Sequence, residues 1–146
     1  GCDRVMLDNF SLEQMREADT LLGERQRLAE EYGAMLGTVP GLSLPETTPG
    51  GVHSQQSYCV MIPGRDRIMA RMRRQGIEVQ IGTYSLHVHP AVKDNDLCRI
   101  QWDDAQTLPG SVEAFETCLA LPLYHGMSRE EQERVVSTLQ SELGDL

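Results

Sequence analysis

Between Ser57 and Gly82 the hydrophobic period changes twice, and this constrains the fold more tightly than any other feature of the chain. Tyr58, Val60 and Ile62 fall on one side of an extended segment and Cys59 and Met61 on the other. A run apolar on both faces predicts a central, covered strand over Ser57 to Ile62. Pro63-Gly64 ends it. Asp66 is suited to cap a helix running to Gln75, and Gly76 to close that helix with a positive φ. Ile77, Val79 and Ile81 then alternate as another strand. If the two strands are parallel, their crossover is expected to be right-handed.

The flanking segments extend this pattern. From Leu12 to Leu36 apolar residues recur at helical spacing, with Ser11 as a cap and Gly37 as a stop. Pro40-Gly41 turns the chain into a short strand, Leu42 to Leu44, and Pro45 to Gly51 is a loop. Ala91 to Leu108 reads as an acidic excursion around Trp102. Ser111 opens a short helix, whose element ends in the apolar run Leu119 to Leu123. Ser128 and Glu131 form a capping box before a last helix carrying Val135, Val136, Leu139 and Leu143. The sum is one α/β domain over residues 1–146. It is a two-layer sandwich with a small sheet of three or four strands and helices mainly on one face.

Charge and cysteine usage limit the function classes. The chain carries 22 acidic and 13 basic residues, a net charge of -9, which argues against nucleic acid as a partner. Arg65, Arg67, Arg71, Arg73 and Arg74 make one helix basic; a solvated face is the expected reading, and a site for an anionic ligand or an acidic partner surface the alternative. The four cysteines, at 2, 59, 98 and 118, show no metal-type spacing. Cys59 and Cys118 are expected to be core thiols, and Cys2 and Cys98 exposed ones. With no secretory signal, lipidation motif or long apolar run, a reduced, cytoplasmic protein without a membrane partner is expected.

Polar side chains gather where the Gly76 strand ends. Thr83, Tyr84, His87 and His89 follow Gly82 in a bend that Pro90 is expected to close, an arrangement that suits a ligand site better than a core. Gln55 and Gln56 either face the same cleft or begin an exposed strand edge, and His53 reads as structural. His87 and His89 have the spacing of two metal ligands on one strand face, but no carboxylate or thiol spacing completes a set, so no metal is expected.

Several ordered blocks carry a resemblance. They are Arg25-Gln-Arg-Leu-Ala-Glu-Glu-Tyr32, Pro40-Gly-Leu-Ser-Leu-Pro45, His53-Ser-Gln-Gln-Ser-Tyr58, the run Gly76 to Pro90, Leu119-Ala-Leu-Pro-Leu-Tyr124 and Met127-Ser-Arg-Glu-Glu-Gln132. In this order they resemble the C-terminal domain of the DegT/DnrJ/EryC1/StrS sugar aminotransferases. Gln55 stands where that family has an aromatic residue, His89 where it has Gln, and Val112 where it has Glu.

The resemblance implies a pyridoxal-phosphate enzyme that moves an amino group from an amino acid, glutamate being the expected donor, to a keto-sugar nucleotide. Such chemistry serves amino-sugar, cell-surface polysaccharide or antibiotic sugar biosynthesis. Tyr84, His87, Gln55, Gln56 and His89 would then contact the nucleotide sugar; the alternative for Tyr84 and His87 is local capping of the strand end. The opening Gly1-Cys-Asp-Arg-Val-Met6 resembles the family's Gly-x-Asn-x-Arg-Met loop, which implies that Asp3 approaches the cofactor phosphate of a neighbouring subunit. Asp3 replaces an Asn and Val5 an Arg, however, and a carboxylate repels phosphate.

The single lysine, Lys93, lies among acidic residues and outside the family's lysine motif. An ammonium in that setting stays protonated and non-nucleophilic. The chain is therefore expected to be the C-terminal domain alone, binding no pyridoxal phosphate and catalysing nothing by itself. Its expected partners are the N-terminal cofactor domain, a nucleotide sugar and a second subunit in a homodimer. The alternative is a non-catalytic binding or oligomerisation module derived from the same fold.

Overall fold

A computed structural model describes residues 12–93 and 108–144. The order of elements is α1 (Leu12–Leu36), β1 (Tyr58–Met61), α2 (Arg65–Arg74), β2 (Gln80–Ile81), a 3-10 turn (Leu86–Val88), α3 (Pro90–Lys93), α4 (Pro109–Thr117), β3 (Cys118–Leu121) and α5 (Arg129–Gly144). Ser11, Trp102, Cys2, Cys98 and Asp3 fall outside the described residues.

The three strands form one sheet in the order β1-β3-β2, with both pairings antiparallel. β1 and β2 therefore run in the same direction with β3 between them. The strand expected to be central, β1, lies at an edge, and the apolar run Leu119 to Leu121 supplies the middle. The Leu42–Leu44 segment contributes a single bridge, in which Ser43 and Met61 exchange two backbone hydrogen bonds of 2.9 and 3.0 Å.

Register sorts the side chains onto two faces. Tyr58 and Val60 of β1, with Leu119 and Leu121 of β3, are buried beneath the helices. Cys59, Met61, Cys118 and Ala120 share the other face and are half-buried. The two thiols thus lie on the open face of the sheet and not in the core. The helices supply the matching apolar stripes. Leu28, Tyr32 and Leu36 recur every four residues on α1, Ile68 and Met72 do so on α2, and Val135, Val136 and Leu139 lie on one face of α5; all are buried. Each such aliphatic side chain contributes about 1.5–3 kcal/mol by leaving water. Tyr32 and Tyr58 meet ring to ring at 5.0 Å, joining α1 to β1.

The helix ends follow local chemistry. Ser128 Oγ accepts from the Glu131 N–H at 3.2 Å, and Glu131 Oε2 accepts from the Ser128 N–H at 2.8 Å, completing the capping box of α5. At the end of α2, Gly76 has φ +77 and its N–H reaches the Arg73 carbonyl, while Ile77 N–H reaches Met72. This paired closure requires a left-handed residue, which glycine adopts without a Cβ clash. α2 begins one residue before the expected cap: Gly64 is the N-cap, and Asp66 sits in the first turn without capping it.

The arginines of α2 are not one solvated face. Arg65 is buried, Arg71 pairs with Glu142 of α5 at 2.8 Å, and Arg73 Nε donates to the Val79 carbonyl at 2.9 Å. Glu142, itself buried, also accepts from Gln75 at 2.8 Å, so α2 and α5 are joined by polar as well as apolar contacts.

Candidate functional site

β2 ends where its partner begins. Gly82 N–H donates to the Cys118 carbonyl at 3.0 Å, and the chain then leaves the sheet. A side chain at Gly82 has no room, since a Cβ there would stand 2.3 Å from Cys118 Sγ and 3.1 Å from Cys59 Sγ. The glycine lets the strand end close against the two thiols. Burial and the neighbouring Cys59 thiol push the Cys118 thiol up to about 11.

Beyond Gly82 the backbone bends into the 3-10 turn, and Pro90 opens α3 instead of closing the bend. Tyr84 is 61% exposed, with its ring 5.8 Å from Phe115 of α4. The guanidinium of Arg65 lies 5.6 Å from the centre of the same Phe115 ring. Arg65 also donates to the Cys118 carbonyl at 3.3 Å. The Asp66 carboxylate comes within 2.8 Å of Arg65 Nε but out of line with its N–H, giving an ion pair without a directed hydrogen bond.

Ser85 is the one residue of the bend that is fully buried, and its hydroxyl lies 2.9 Å from His87 Nδ1 and 2.9 Å from Ser111 Oγ. His87 is half-buried; His89 is exposed and receives the Ala91 N–H on Nδ1 at 3.3 Å. The two histidines belong to a helical turn and its end, so the same-face strand geometry expected of a metal pair is not formed. Among the described residues no three His, Cys, Asp or Glu side chains converge.

Gln55 and Gln56 lie elsewhere. They precede Tyr58, which faces Leu121, whereas Thr83 and Tyr84 follow the end marked by Cys118 and Met61. Three residue steps of β3 separate these two ends, about 10 Å at the usual rise of a strand. The structure thus brings Tyr84 and His87 together with Ser85, Ser111 and Phe115, and sets the glutamines at the opposite end of the sheet. There Arg25 of α1 gathers three carbonyls, donating to Gln55 at 3.2 Å, Gln56 at 2.9 Å and Leu123 at 3.5 Å. His53 Nδ1 accepts the Gln55 N–H at 2.9 Å, and Gln55 holds φ 51, a conformation uncommon outside glycine. One turn is therefore tied from both sides.

Next to Arg25, Glu24 accepts from the Gly126 N–H at 2.9 Å and pairs with His125. These contacts hold the Glu24 carboxyl below its ordinary range, the Gly126 bond more than the imidazole. A groove of about 630 Å³ runs beside β2, lined in part by Ile77, Gln80, Leu123, Tyr124, Glu131 and Arg134. None of the five predicted substrate residues lines it.

Sequence reasoning assigns no site role to Ser85, Ser111 or Phe115, and reads Arg65 as part of a solvated basic face. Ser85 lies inside the run Gly76 to Pro90, and its place just before a turn is the available signal. The contact between Arg65 and Phe115 joins residues far apart in sequence and leaves no local pattern.

Pyridoxal phosphate needs a lysine amine, an acid at the pyridine nitrogen and a phosphate cup. The chain's one lysine is Lys93, the last residue of α3, followed in sequence by Asp94 and Asp96. The acidic groups Glu24, Glu31, Glu133 and Glu142 are engaged with His125, Arg27, Arg129 and Arg71. This donor set does not fit the cofactor.

A model of the DegT/DnrJ/EryC1/StrS aminotransferase family matches residues 9–140. The chain is 29% identical over 129 residues to the erythromycin biosynthesis sensory transduction protein EryC1 of Saccharopolyspora erythraea, covering 88% of this chain and 34% of that protein. It is 28% identical over 130 residues to a dTDP-4-dehydro-2,3,6-trideoxy-D-glucose 4-aminotransferase of Saccharopolyspora spinosa, covering 87% and 31%. Among solved structures, the aminotransferase TlmJ of Streptoalloteichus hindustanus superposes with a TM-score of 0.76 at 26% identity, covering 91% of this chain and 34% of that one. The chain spans about a third of the length of these relatives.

Proposed function

Since the chain belongs to the DegT/DnrJ/EryC1/StrS aminotransferase family, we propose that it is the C-terminal domain of an enzyme that transfers an amino group from an amino acid, glutamate, to a keto-sugar nucleotide in the cytoplasm. The observation that carries this reading is the family match over 9–140 on a chain a third as long as its relatives. Pyridoxal phosphate, when bound, supplies the electron sink for amine transfer. Its lysine and phosphate cup belong to a preceding domain, in keeping with the unsuited donor set described above.

In this proposal the domain forms one wall of the substrate cleft. Tyr84 offers an exposed ring and hydroxyl, backed by Phe115, on which a sugar or base can lie. His87 adds an imidazole held from behind by Ser85, and His89 an exposed one at the rim. Gln55 and Gln56, at the other end of the sheet, would meet a different part of the substrate or the cleft of a second subunit in the homodimer. The alternative of a binding or oligomerisation module is favoured by the acidic balance of the chain and by Asp3 and Val5 in its opening loop.

Two titrations of the chain test the reading. Pyridoxal phosphate, followed by borohydride reduction and peptide mass mapping, is expected to leave Lys93 unmodified; a stoichiometric adduct there overturns the accessory role. Titration with dTDP-glucose, followed in proton–nitrogen NMR spectra, is expected to shift Tyr84 and His87. Shifts confined to other elements, or none at millimolar sugar nucleotide, remove the substrate wall.

A further inference from the structure

The register of β1 on β3 brings two thiols together on the open face of the sheet. Cys59 lies opposite Ala120 and Cys118 opposite Met61, so Cys59, Met61 and Cys118 share that face, each half-buried. Gln80 and Gly82 complete it from the other side, Gln80 opposite Ala120 and the Gly82 N–H bonded to the Cys118 carbonyl. Three sulfur-bearing residues thus hold neighbouring positions, with no carboxylate, imidazole or ammonium among these six side chains. The thiols also converge. The place where a Cβ of Gly82 would stand is 2.3 Å from Cys118 Sγ and 3.1 Å from Cys59 Sγ, so the two sulfurs are no farther apart than those lengths laid end to end. Both thiols are free, and Cys59 donates only a long bond to Ser57 Oγ at 3.6 Å.

Spacing decides what such a pair can do. A disulfide needs Cβ atoms about 3.5–4.5 Å apart. Cys59 and Cys118 are diagonal neighbours, and such neighbours stand about 7–8 Å apart, somewhat less between Cβ atoms. Direct closure would require the strands to move. A metal ion between the sulfurs adds two bonds of about 2.3 Å, a span that suits the diagonal. Structural zinc takes four donors from Cys, His or carboxylate, and among the described residues no three His, Cys, Asp or Glu side chains converge. Thiolates with a thioether select copper(I), a soft ion content with few donors.

Charge is provided for as well. Binding releases two thiol protons for one copper(I), leaving a single negative charge on the bis-thiolate. Arg65, 3% exposed, donates to the Cys118 carbonyl at 3.3 Å and lies where it can balance that charge. Burial is the larger influence on Cys118 and favours the neutral thiol; the Arg65 charge acts the other way.

We propose that Cys59 and Cys118, with Met61 as a third donor, bind one copper(I) ion on the open face of the sheet. The site is made by strand register, so no metal-type spacing announces it in the sequence. It does not depend on the substrate reading.

The test is anaerobic titration of the Cys2→Ser/Cys98→Ser chain with copper(I) in competition with bicinchoninate, and X-ray absorption of the product. One ion per chain is expected, with sulfur alone around it. Cys59→Ser and Cys118→Ala should each weaken binding by more than the about 10–100-fold that loss of an outer partner brings. Met61→Leu, which keeps the volume, should weaken it about tenfold. The absorption spectrum is read on the intact pair, so it decides even where a variant fails to fold. No uptake from bicinchoninate, nitrogen or oxygen in the inner shell, or unchanged affinity in folded Cys118→Ala overturns the proposal. A Cys59–Cys118 disulfide formed with oxidised glutathione also overturns it, since sulfurs that close directly are not held at a bridging distance.

Discussion

The hydroxyl of Tyr32 donates to the carbonyl of Pro122 at 2.9 Å, tying the C-terminal half of α1 to the residue that follows β3. Tyr32 is fully buried, and burial raises its phenol above the ordinary tyrosine range, so it stays a neutral donor at any physiological pH. Tyr32→Phe keeps the ring contact with Tyr58 but leaves the Pro122 carbonyl without this partner. The expected loss is about 1–3 kcal/mol, read from urea unfolding midpoints. A variant as stable as the wild type would mean that another donor replaces the phenol.

Gly82→Ala places a methyl group where two sulfur atoms converge. Overpacking of this kind typically costs about 1–3 kcal/mol. Removing Cys118 Sγ should make room, so Gly82→Ala with Cys118→Ala should be more stable than the two single losses add up to. Strict additivity in that double-mutant cycle would show that the thiols do not limit the space.

Arg25 holds the Gln55–Gln56 turn and Leu123 through one guanidinium. In Arg25→Ala, amide hydrogen exchange should accelerate from His53 to Tyr58 while α2 and α5 keep their protection. All three bonds leave from Nη1; lysine restores the charge on a shorter stem that sets its ammonium elsewhere, so Arg25→Lys should rescue only part of the protection. Full protection in Arg25→Ala would show that the turn is held by other contacts.

Acid should loosen the neighbouring tie. The folded Glu24 carboxyl titrates below its unfolded value of 4.5 because Gly126 and His125 favour the charged form. Its contribution is therefore complete above 4.5 and is lost as pH falls through the lower folded value. Glu24→Gln should flatten the acid limb of stability against pH in that window. Parallel limbs for the two proteins would rule the tie out as a stabilising contact.

Much of the framework could be read from the chain because its signals are local. The bounds of α1 follow from a long helical period, and the start of α5 from Ser128 and Glu131 three residues apart. The central strand could not be placed in this way. α4 passes from Thr117 to Cys118 without an intervening glycine or proline, so the change of period carries no punctuation. Arg65 reads as solvated because the ring it packs against lies far along the chain. Tyr84 and His87 were legible as a polar cluster beyond a strand end. Their distance from Gln55 and Gln56 was not, because it is set by the register of β1 and β2 on β3, a relation between segments that no single segment encodes.

The position of β3 has a consequence for how the protein is made. The strand that pairs with both others is the last of the three in sequence. A ribosome releases β1 and β2 well before their common neighbour, and neither can complete its ladder until Cys118 to Leu121 has left the exit tunnel. The entropy of closing the chain between Ile81 and Cys118 must be met before pairing repays it. A nascent chain stalled before Cys118 would carry two strands without their common partner, a natural client for chaperones and an early substrate for proteases.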